Sequence, residues 1–514
     1  MSDKSKSKLN YGRTILIGFG FMGCMLLWSV YNSYVPVILK GKLTEVFAGN
    51  SPFIQFINNH AWLSWISVAL IVNAIMTIDN IFGVVFQPFF GKKSDTTRSP
   101  LGKRMPYILI CMPICALFFC FIPVAALTKT LGLSILLMMS VIICFNFFMS
   151  VWRSPVVSLM PDFTPSEMQS DANAVINIMG GIGQMFGFVV GSIAAALVGI
   201  LGFAEMSHAL RKAPTNEFGQ LIDEAGNLIL DAKGYPTYVN YTPVFVITAV
   251  IAVLCIVVLF FFYKKNKEYD LSAKVSLQKE DAQEKPAKIK IKNLPISKEA
   301  KKSLIVMLAA LFLINNAFES IIPNFTNFAN ETLHVKPVYS TLMMAVFAVS
   351  LAVFGIPSGI MGRKLGRKRT IMIGLTGVVI MFAIYLTVSQ ILPKADDGSV
   401  NKFTWICLWI ALIIGGAAIG CININTLPLV LSIGGREYVG TFTGYYYTAT
   451  MSASVTGPIL CGLLIGLFND DYNYMFLFSA IMFLLGLIVI TQVKHGEAYE
   501  VTDEEIKQAR MADD

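Results

Sequence analysis

Charge is what this sequence lacks. Of its 514 residues only 14% are Asp, Glu, Lys or Arg, while 55% are hydrophobic. That balance excludes an ordinary soluble domain, which needs more polar surface than this chain can supply. Histidine is nearly absent, and the four copies, His60, His208, His334 and His495, fall between the apolar runs or in the C-terminal tail. A histidine proton relay inside the apolar segments is therefore disfavoured. The nine cysteines all lie within apolar runs and form no CxxC pair. They imply neither a disulfide framework nor a metal site, and Cys111 and Cys115 read as packing residues. No phosphate-binding loop, metal-ligand cluster or nucleophile constellation occurs, so an enzyme is disfavoured, ATP is not the driving force and no cofactor is expected.

What fills the chain instead is a succession of long apolar runs. A bilayer core of ~30 Å needs roughly 20 apolar residues per helix. Twelve runs meet that length, over 13–39, 63–91, 105–127, 131–155, 171–201, 241–263, 302–331, 337–361, 370–391, 403–431, 437–468 and 472–493. The first follows the basic segment MSDKSKSKLNYGR, is too long for a signal peptide and has no small-residue cleavage site, so it is expected to remain as a span. The polar, lysine-rich stretch between the sixth and seventh runs divides the chain. The expected fold is an all-α membrane protein of two six-helix bundles, residues 1–263 and 302–493, joined by a cytoplasmic linker, 264–301, and followed by a tail, 494–514. Within 202–240, Gly226-Asn227 between short apolar-bearing runs predicts a small β-hairpin.

Lys and Arg set the orientation, because cytoplasmic loops keep them. With both termini inside, thirty of the forty fall on the cytoplasmic side and nine on the other, and Arg153 lies within a span. The expected location is the plasma membrane, multi-pass, as a monomer. Trp62, Trp65 and Trp405 near the outer span ends read as interfacial anchors.

The loops after the second and eighth spans echo each other. The first reads Gly91-Lys-Lys-Ser-Asp95 and then Gly102-Lys-Arg104; the second, SGIMGRKLGRKR, has Gly359 and then Gly366-Arg-Lys-Arg. Paired loops at matching positions of two halves are the mark of an internally repeated transporter. With twelve spans and this division, the chain resembles the major facilitator superfamily, whose signature is Gly-x-x-x-Asp followed by Gly and two basic residues. The insertion TTRSPLGKRMP and the stretch WRSPVVSLMPDFTPSEMQSDANAVINIMGGIGQ resemble the glycoside-pentoside-hexuronide:cation symporters and the related sucrose-transporter branch. The resemblance implies that Gly91, Asp95, Arg104 and Asp162 belong to a cytoplasmic gate, with Asp95 paired to a basic residue and facing the start of span 11. The branch's cation-binding aspartates are not copied. Their positions hold Gln87, Gly83 and Arg153, and the sucrose carriers' span-4 aspartate corresponds to Asn146. In the second loop Arg363 replaces the aspartate.

An ionisable group at mid-membrane costs roughly 2.5–3.5 kcal/mol on the lenient scale, so those that persist face protein or a water-filled cavity. Asp79, Arg153 and Glu319 are the candidates for ion coupling. By helix rise, Asp79 lies ~18 Å from Gly91 and Arg153 ~14 Å from Asp162, which allows an Asp79–Arg153 pair. Such a pair either couples transport to protons or only fixes helix packing. Glu319 is either a coupling group or a solvated rim residue. For substrate, span 1 offers Trp28, Tyr31 and Asn32 on one face; the other spans add Gln87, Asn146, Asn177, Gln184, Asn315, Asn316, Asn423 and Tyr446. Singly, each reads as an interhelical hydrogen bond. Together they favour a polar cavity for a small-molecule substrate, with a proton or sodium as the coupling ion, the lipid bilayer as the remaining partner and no nucleic acid. The leading reading is a proton-coupled sugar or glycoside symporter. The alternatives are an exporter or lysolipid-type carrier of the same fold and, from another class, a non-transporting sensor, for which the tails are too short.

Overall fold

The computed structural model describes residues 10–49, 52–60, 63, 65–164, 169–216, 218–223, 225–231, 234–266, 269, 297–390, 402–434 and 439–494. The fold is all-α, and among the described residues twelve helical segments are long and apolar enough to cross a membrane. In chain order the first half holds α1 (Tyr11–Ala48), α2 (Pro52–Asn58), α3 (Val68–Met76), α4 (Ile78–Thr96), α5 (Met105–Ala126), α6 (Leu131–Phe163), α7 (Gln169–Ile200), α8 (Ala204–Arg211) and α9 (Thr242–Asn266). The second half holds α10 (Lys298–Ile321), α11 (Phe325–Glu331), α12 (Pro337–Lys364), α13 (Arg367–Gln390), α14 (Lys402–Gly434), α15 (Val439–Leu467) and α16 (Tyr474–Thr491). Most of the sequence-predicted linker, the tail beyond Lys494, and Trp62 and His495 lie outside the described residues.

Two spans that read as single apolar runs are interrupted. The second breaks at Thr77, with no proline or glycine at the break: the Thr77 hydroxyl donates to the Ala74 carbonyl at 2.7 Å. Such back-bonding competes with the helical ladder and bends it. The break places Asp79 in the first turn of α4. The seventh breaks before α11, at Pro323, which has no N–H to continue the ladder. Other helices outrun their apolar runs. α1 continues to Ala48 because its charges are matched: Lys40 pairs with Glu331, and Lys42 lies 3.6 Å from Glu45.

The hairpin predicted around Gly226-Asn227 takes the form of isolated antiparallel bridges, Ile222 to Leu228 and Leu230 to Pro236 among them, rather than extended strands. Asp223 makes the turn by accepting from the backbone N–H groups of Ala225 and Asn227. Tyr238 ties the segment to α1 by donating to Glu45 at 2.8 Å.

Two apolar cores organise the helices. One draws on residues from Ile17 to Tyr263, together with Val338; the other draws on Ala300 to Val493, together with Ala69. Within the first half α1 packs on α7 and α9, and within the second α10 packs on α15 and α16. At Gly183, a Cβ would overlap the Met22 carbonyl, so the α1–α7 contact depends on a residue without a side chain. The halves meet through α7 with α12 and α3 with α15.

Candidate functional site

The loop Gly91–Arg104 is organised by one arginine. Arg104, 7% exposed, precedes α5 and reaches the ends of two other helices. It bonds Asp162 on α6 at 2.8 Å, Asp95 at 2.5 Å, the Ser94 hydroxyl at 2.5 Å and the Gly91 carbonyl at 3.3 Å. Burial works against its charge, but the Asp162 and Asp95 carboxylates prevail and hold its pKa above the ordinary arginine value. Gly91, Asp95 and Asp162, named with Arg104 for the gate, therefore converge on it, and the network lies within the first half. Among the described residues the ion-pair partner of Asp95 is Arg104; residues 435–438, just before α15, are not described. Gly102 makes the turn possible: its φ is +79°, and a Cβ there would overlap the Tyr263 hydroxyl. The second half repeats the plan without the carboxylates. Gly366 has φ +92°, and Arg367 donates to the Pro428 carbonyl on α14 at 2.7 Å, while Arg363 is exposed.

At mid-membrane, three charged groups from both halves share one neighbourhood. Asp79 on α4 lies within electrostatic range of Glu319 on α10 and of Arg153 on α6. Among the described residues no ion pair within 4.0 Å joins them. Asp79 instead accepts from the Asn80 N–H at 2.6 Å, and the Arg153 guanidinium sits 5.9 Å from the Trp28 ring. The next residue extends the contact across the halves. Asn80 donates to the Ser454 carbonyl on α15 at 3.1 Å, and the Ser454 side chain hydrogen-bonds Glu319. Glu319 is thus a neighbour of Asp79, not an isolated rim group. Gln87, two turns along α4, folds back over Gly83.

The polar residues named from sequence divide by burial. Tyr31 is fully buried, stacked on Phe145 with 5.0 Å between centroids, and its hydroxyl accepts from buried Asn146 at 3.1 Å. Asn316 is buried too, donating to Phe312 and accepting from Thr456. These three hold helices together. Trp28, Asn32, Gln87, Asn315 and Tyr446 are half-buried, and Asn177, Gln184 and Asn423 are exposed. Trp28 Nε1 is buried without a hydrogen-bond acceptor.

Sequence reasoning missed the contacts that join the halves. Asn73 on α3 and Asn324 at the α10–α11 break exchange reciprocal amide bonds of 2.9 and 2.8 Å, both residues fully buried. Nearby, Lys40 pairs with Glu331, the Ala69 N–H donates to Asp470 at 3.1 Å, and Lys336 donates to Thr215 at 3.0 Å. The polar contacts described between the halves run from mid-membrane to the end opposite the basic loops. The only sequence signal was an Asn within each apolar run; nothing links positions 251 apart.

The comparisons with known proteins agree with this architecture. The family model of the Major Facilitator Superfamily matches residues 17–329 and 304–509. The chain belongs to the major facilitator superfamily. Solved structures of similar fold include a mutant of the nucleoside transporter NupG, at 12% identity and TM-score 0.55, covering 94% of this chain and 99% of that one. Another is a bacterial homologue of the iron transporter ferroportin in an inward-facing state, at 13% identity and TM-score 0.56, covering 95% and 99%. A third is a bacterial homolog of the human lysosomal transporter Spinster, inward-facing and occupied, at 11% identity and TM-score 0.53, covering 95% of each chain. No curated protein matches the sequence. At these identities the likeness is one of fold. The protein is a multi-pass membrane transporter of the superfamily, and membership implies a small-molecule substrate.

Proposed function

We propose that the chain is a secondary active symporter of a sugar or glycoside coupled to protons, related to the glycoside-pentoside-hexuronide and sucrose-transporter branch. The observation that carries the coupling is the convergence of Asp79, Glu319 and Arg153 from two halves on one site. Two carboxylates and one guanidinium leave a single negative charge unmatched, and a buried unmatched charge is costly. A proton on either carboxylate closes the balance. When the halves part at this level, Glu319 leaves Asp79, and the carboxylate that keeps Arg153 releases its proton. Substrate hydroxyls would bond Gln87, Asn177, Gln184, Asn315 and Asn423, with Trp28 and Tyr446 offering ring faces.

The basic-loop end is the one that the positive-inside rule assigns to the cytoplasm along with both termini, in the plasma membrane. Its gate is the clasp of Gly91, Asp95, Arg104 and Asp162, which moves as part of the first half, residues 1–263, relative to the second, residues 302–493. The linker, 264–301, joins the two halves. Uptake of a panel of disaccharides and glycosides into proteoliposomes, with and without an imposed pH gradient, tests the reading. A gradient-driven signal that Asp79→Asn and Glu319→Gln each abolish is expected. Gradient-independent uptake, or coupling intact in both variants, would remove proton symport.

A further inference from the structure

Few Lys or Arg residues lie at the end opposite the basic loops, nine by the sequence division, yet three of them line one groove. Arg211 and Lys212, at the end of α8 in the first half, face Lys336, at the start of α12 in the second, with His334 beside them. No carboxylate is part of the lining. Among the described residues none of Arg211, Lys212 or Lys336 makes an ion pair within 4.0 Å. The groove has a volume of about 540 Å³. Its other wall is Trp405 and Trp409, stacked at 6.3 Å one and two turns into α14, with exposed Phe403, Ile406 and Ile410 around them.

Helix dipoles account for part of this arrangement. A cation at the C-terminus of α8 is favoured, so Arg211 and Lys212 are at home there. Lys336 is not: it occupies the N-terminal cap of α12, where the dipole repels a cation. Burial adds to the cost and pushes its ammonium down to about 8. Its one hydrogen bond, to the Thr215 hydroxyl, brings no negative charge. Among the described residues three cations thus converge with no carboxylate in the lining to balance them, at the mouth of a groove whose wall becomes aromatic and then apolar with depth. That gradient, cationic at the helix ends and tryptophan-lined beneath, is the profile of a phospholipid read from phosphate to acyl chain.

We propose that the groove binds an anionic phospholipid of the leaflet at that end, its phosphate between Arg211, Lys212 and Lys336 and its chains along Trp405 and Trp409. Because α8 and α12 belong to different halves, the lipid bridges them and favours the arrangement in which this end is closed. It binds one arrangement more tightly than the other, and a ligand shifts an equilibrium only by that difference.

The test compares phosphatidylglycerol with phosphatidylcholine, added to the full-length protein in neutral detergent at fixed ionic strength. Thermal unfolding is followed together with quenching of tryptophan fluorescence by brominated forms of each lipid. Phosphatidylglycerol is expected to raise the midpoint by several degrees over phosphatidylcholine and to quench more strongly. Both differences should vanish in Arg211→Gln/Lys212→Gln, and the quenching difference in Trp405→Phe/Trp409→Phe. Should the double variant fail to fold, Lys336→Gln carries the same comparison. Equal midpoints and quenching for the two lipids would overturn the proposal. So would a full phosphatidylglycerol effect in the variants, or inorganic phosphate alone reproducing the stabilisation, which would make the ligand a free anion.

Discussion

The Asn73–Asn324 pair sets how firmly the halves are joined away from the basic loops, and its removal has a calculable effect. Both side chains are fully buried and exchange two amide hydrogen bonds across the interface. Replacing one leaves the other amide without its cross-interface partner, a loss of about 1–3 kcal/mol for a buried polar group. Asn324 retains a bond to the Ser320 carbonyl and Asn73 one to the Ala69 carbonyl, so the lower part of that range applies to each. In the alternate arrangement, where the halves separate at this end, water would satisfy both amides. The penalty therefore falls on the joined state alone, and Asn73→Ala or Asn324→Ala should shift the population toward separation by roughly five- to tenfold. The double variant Asn73→Leu/Asn324→Leu removes both polar groups and should be less perturbed than either single change. Distances between spin labels at Glu205 in one half and Phe468 in the other, measured by electron–electron resonance, report the populations directly. Identical distance distributions in the wild type and both single variants would refute the reasoning. So would a Leu/Leu variant at least as perturbed as either single change, since it leaves neither amide behind to go unpaired.

Three further outcomes follow from other parts of the structure. Breaking the arginine clasp should be costly in proportion to burial: with side-chain exposures of 12% for Asp162 and 59% for Asp95, Asp162→Asn should lower the thermal midpoint clearly and Asp95→Asn little, while Arg104→Gln, which removes the partner of both carboxylates, should lower it most. Gly102→Ala should destabilise more than Gly226→Ala, because both need a positive φ but only Gly102 lies against a side chain, the Tyr263 hydroxyl; Tyr263→Phe should recover part of the loss, as thermal unfolding will show. The third concerns pH. The pKa of Lys336 is lowered by burial to about 8 from 10.5, so above pH 8 the unfolded chain holds a proton that the folded one has released, and stability in lipid-free neutral detergent should rise between pH 8 and 10.5. Burial alone sets that direction, and the other ionisable groups of the groove, Arg211, Lys212, His334 and Tyr339, include no carboxylate. Lys336→Gln should flatten this part of the profile in unfolding measurements across pH.

Much of the fold was legible because membrane insertion writes itself into local composition. A span needs its apolar residues in one unbroken run, and each of the twelve had one. The charges that break that rule were equally legible: Asp79, Arg153 and Glu319 stood out because each is expensive where it lies. What composition could not carry was pairing. Asp79 was matched in sequence reasoning with Arg153, its partner by depth; the structure keeps both within electrostatic range but brings Glu319 of the opposite half there too. The helix break at Thr77 left no mark of the usual kind, because a hydroxyl turned back on its own helix looks in sequence like any other threonine in an apolar run. The seventh span did carry a mark, Pro323, but the break became meaningful only through Asn324, freed there to meet Asn73.

These two interruptions have a common consequence. Each falls where its helix crosses from the level of the charged triad to the level of the contacts between halves, and each comes from a different half. Asp79 follows the first break by two residues and Glu319 precedes the second by four. A regular helix would fix the carboxylate and the asparagine of each span in one rigid frame, so that neither could respond without the other. A helix divided between them has a joint at that point: the outer segment, α3 or α11, can stay with the opposite half while the inner segment, α4 or α10, turns with its own. The proposed proton site and the closure between halves are then adjoining elements connected by a hinge, which is the arrangement that an exchange of protonation for opening requires. Restoring the second span by Thr77→Ala, which removes the back-bonding hydroxyl, should therefore straighten it at the break, and should lower the population open at the far end in the spin-label measurement without weakening the Asn73–Asn324 contact itself. An unchanged distance distribution in Thr77→Ala would show that the division of the helices is incidental to the coupling.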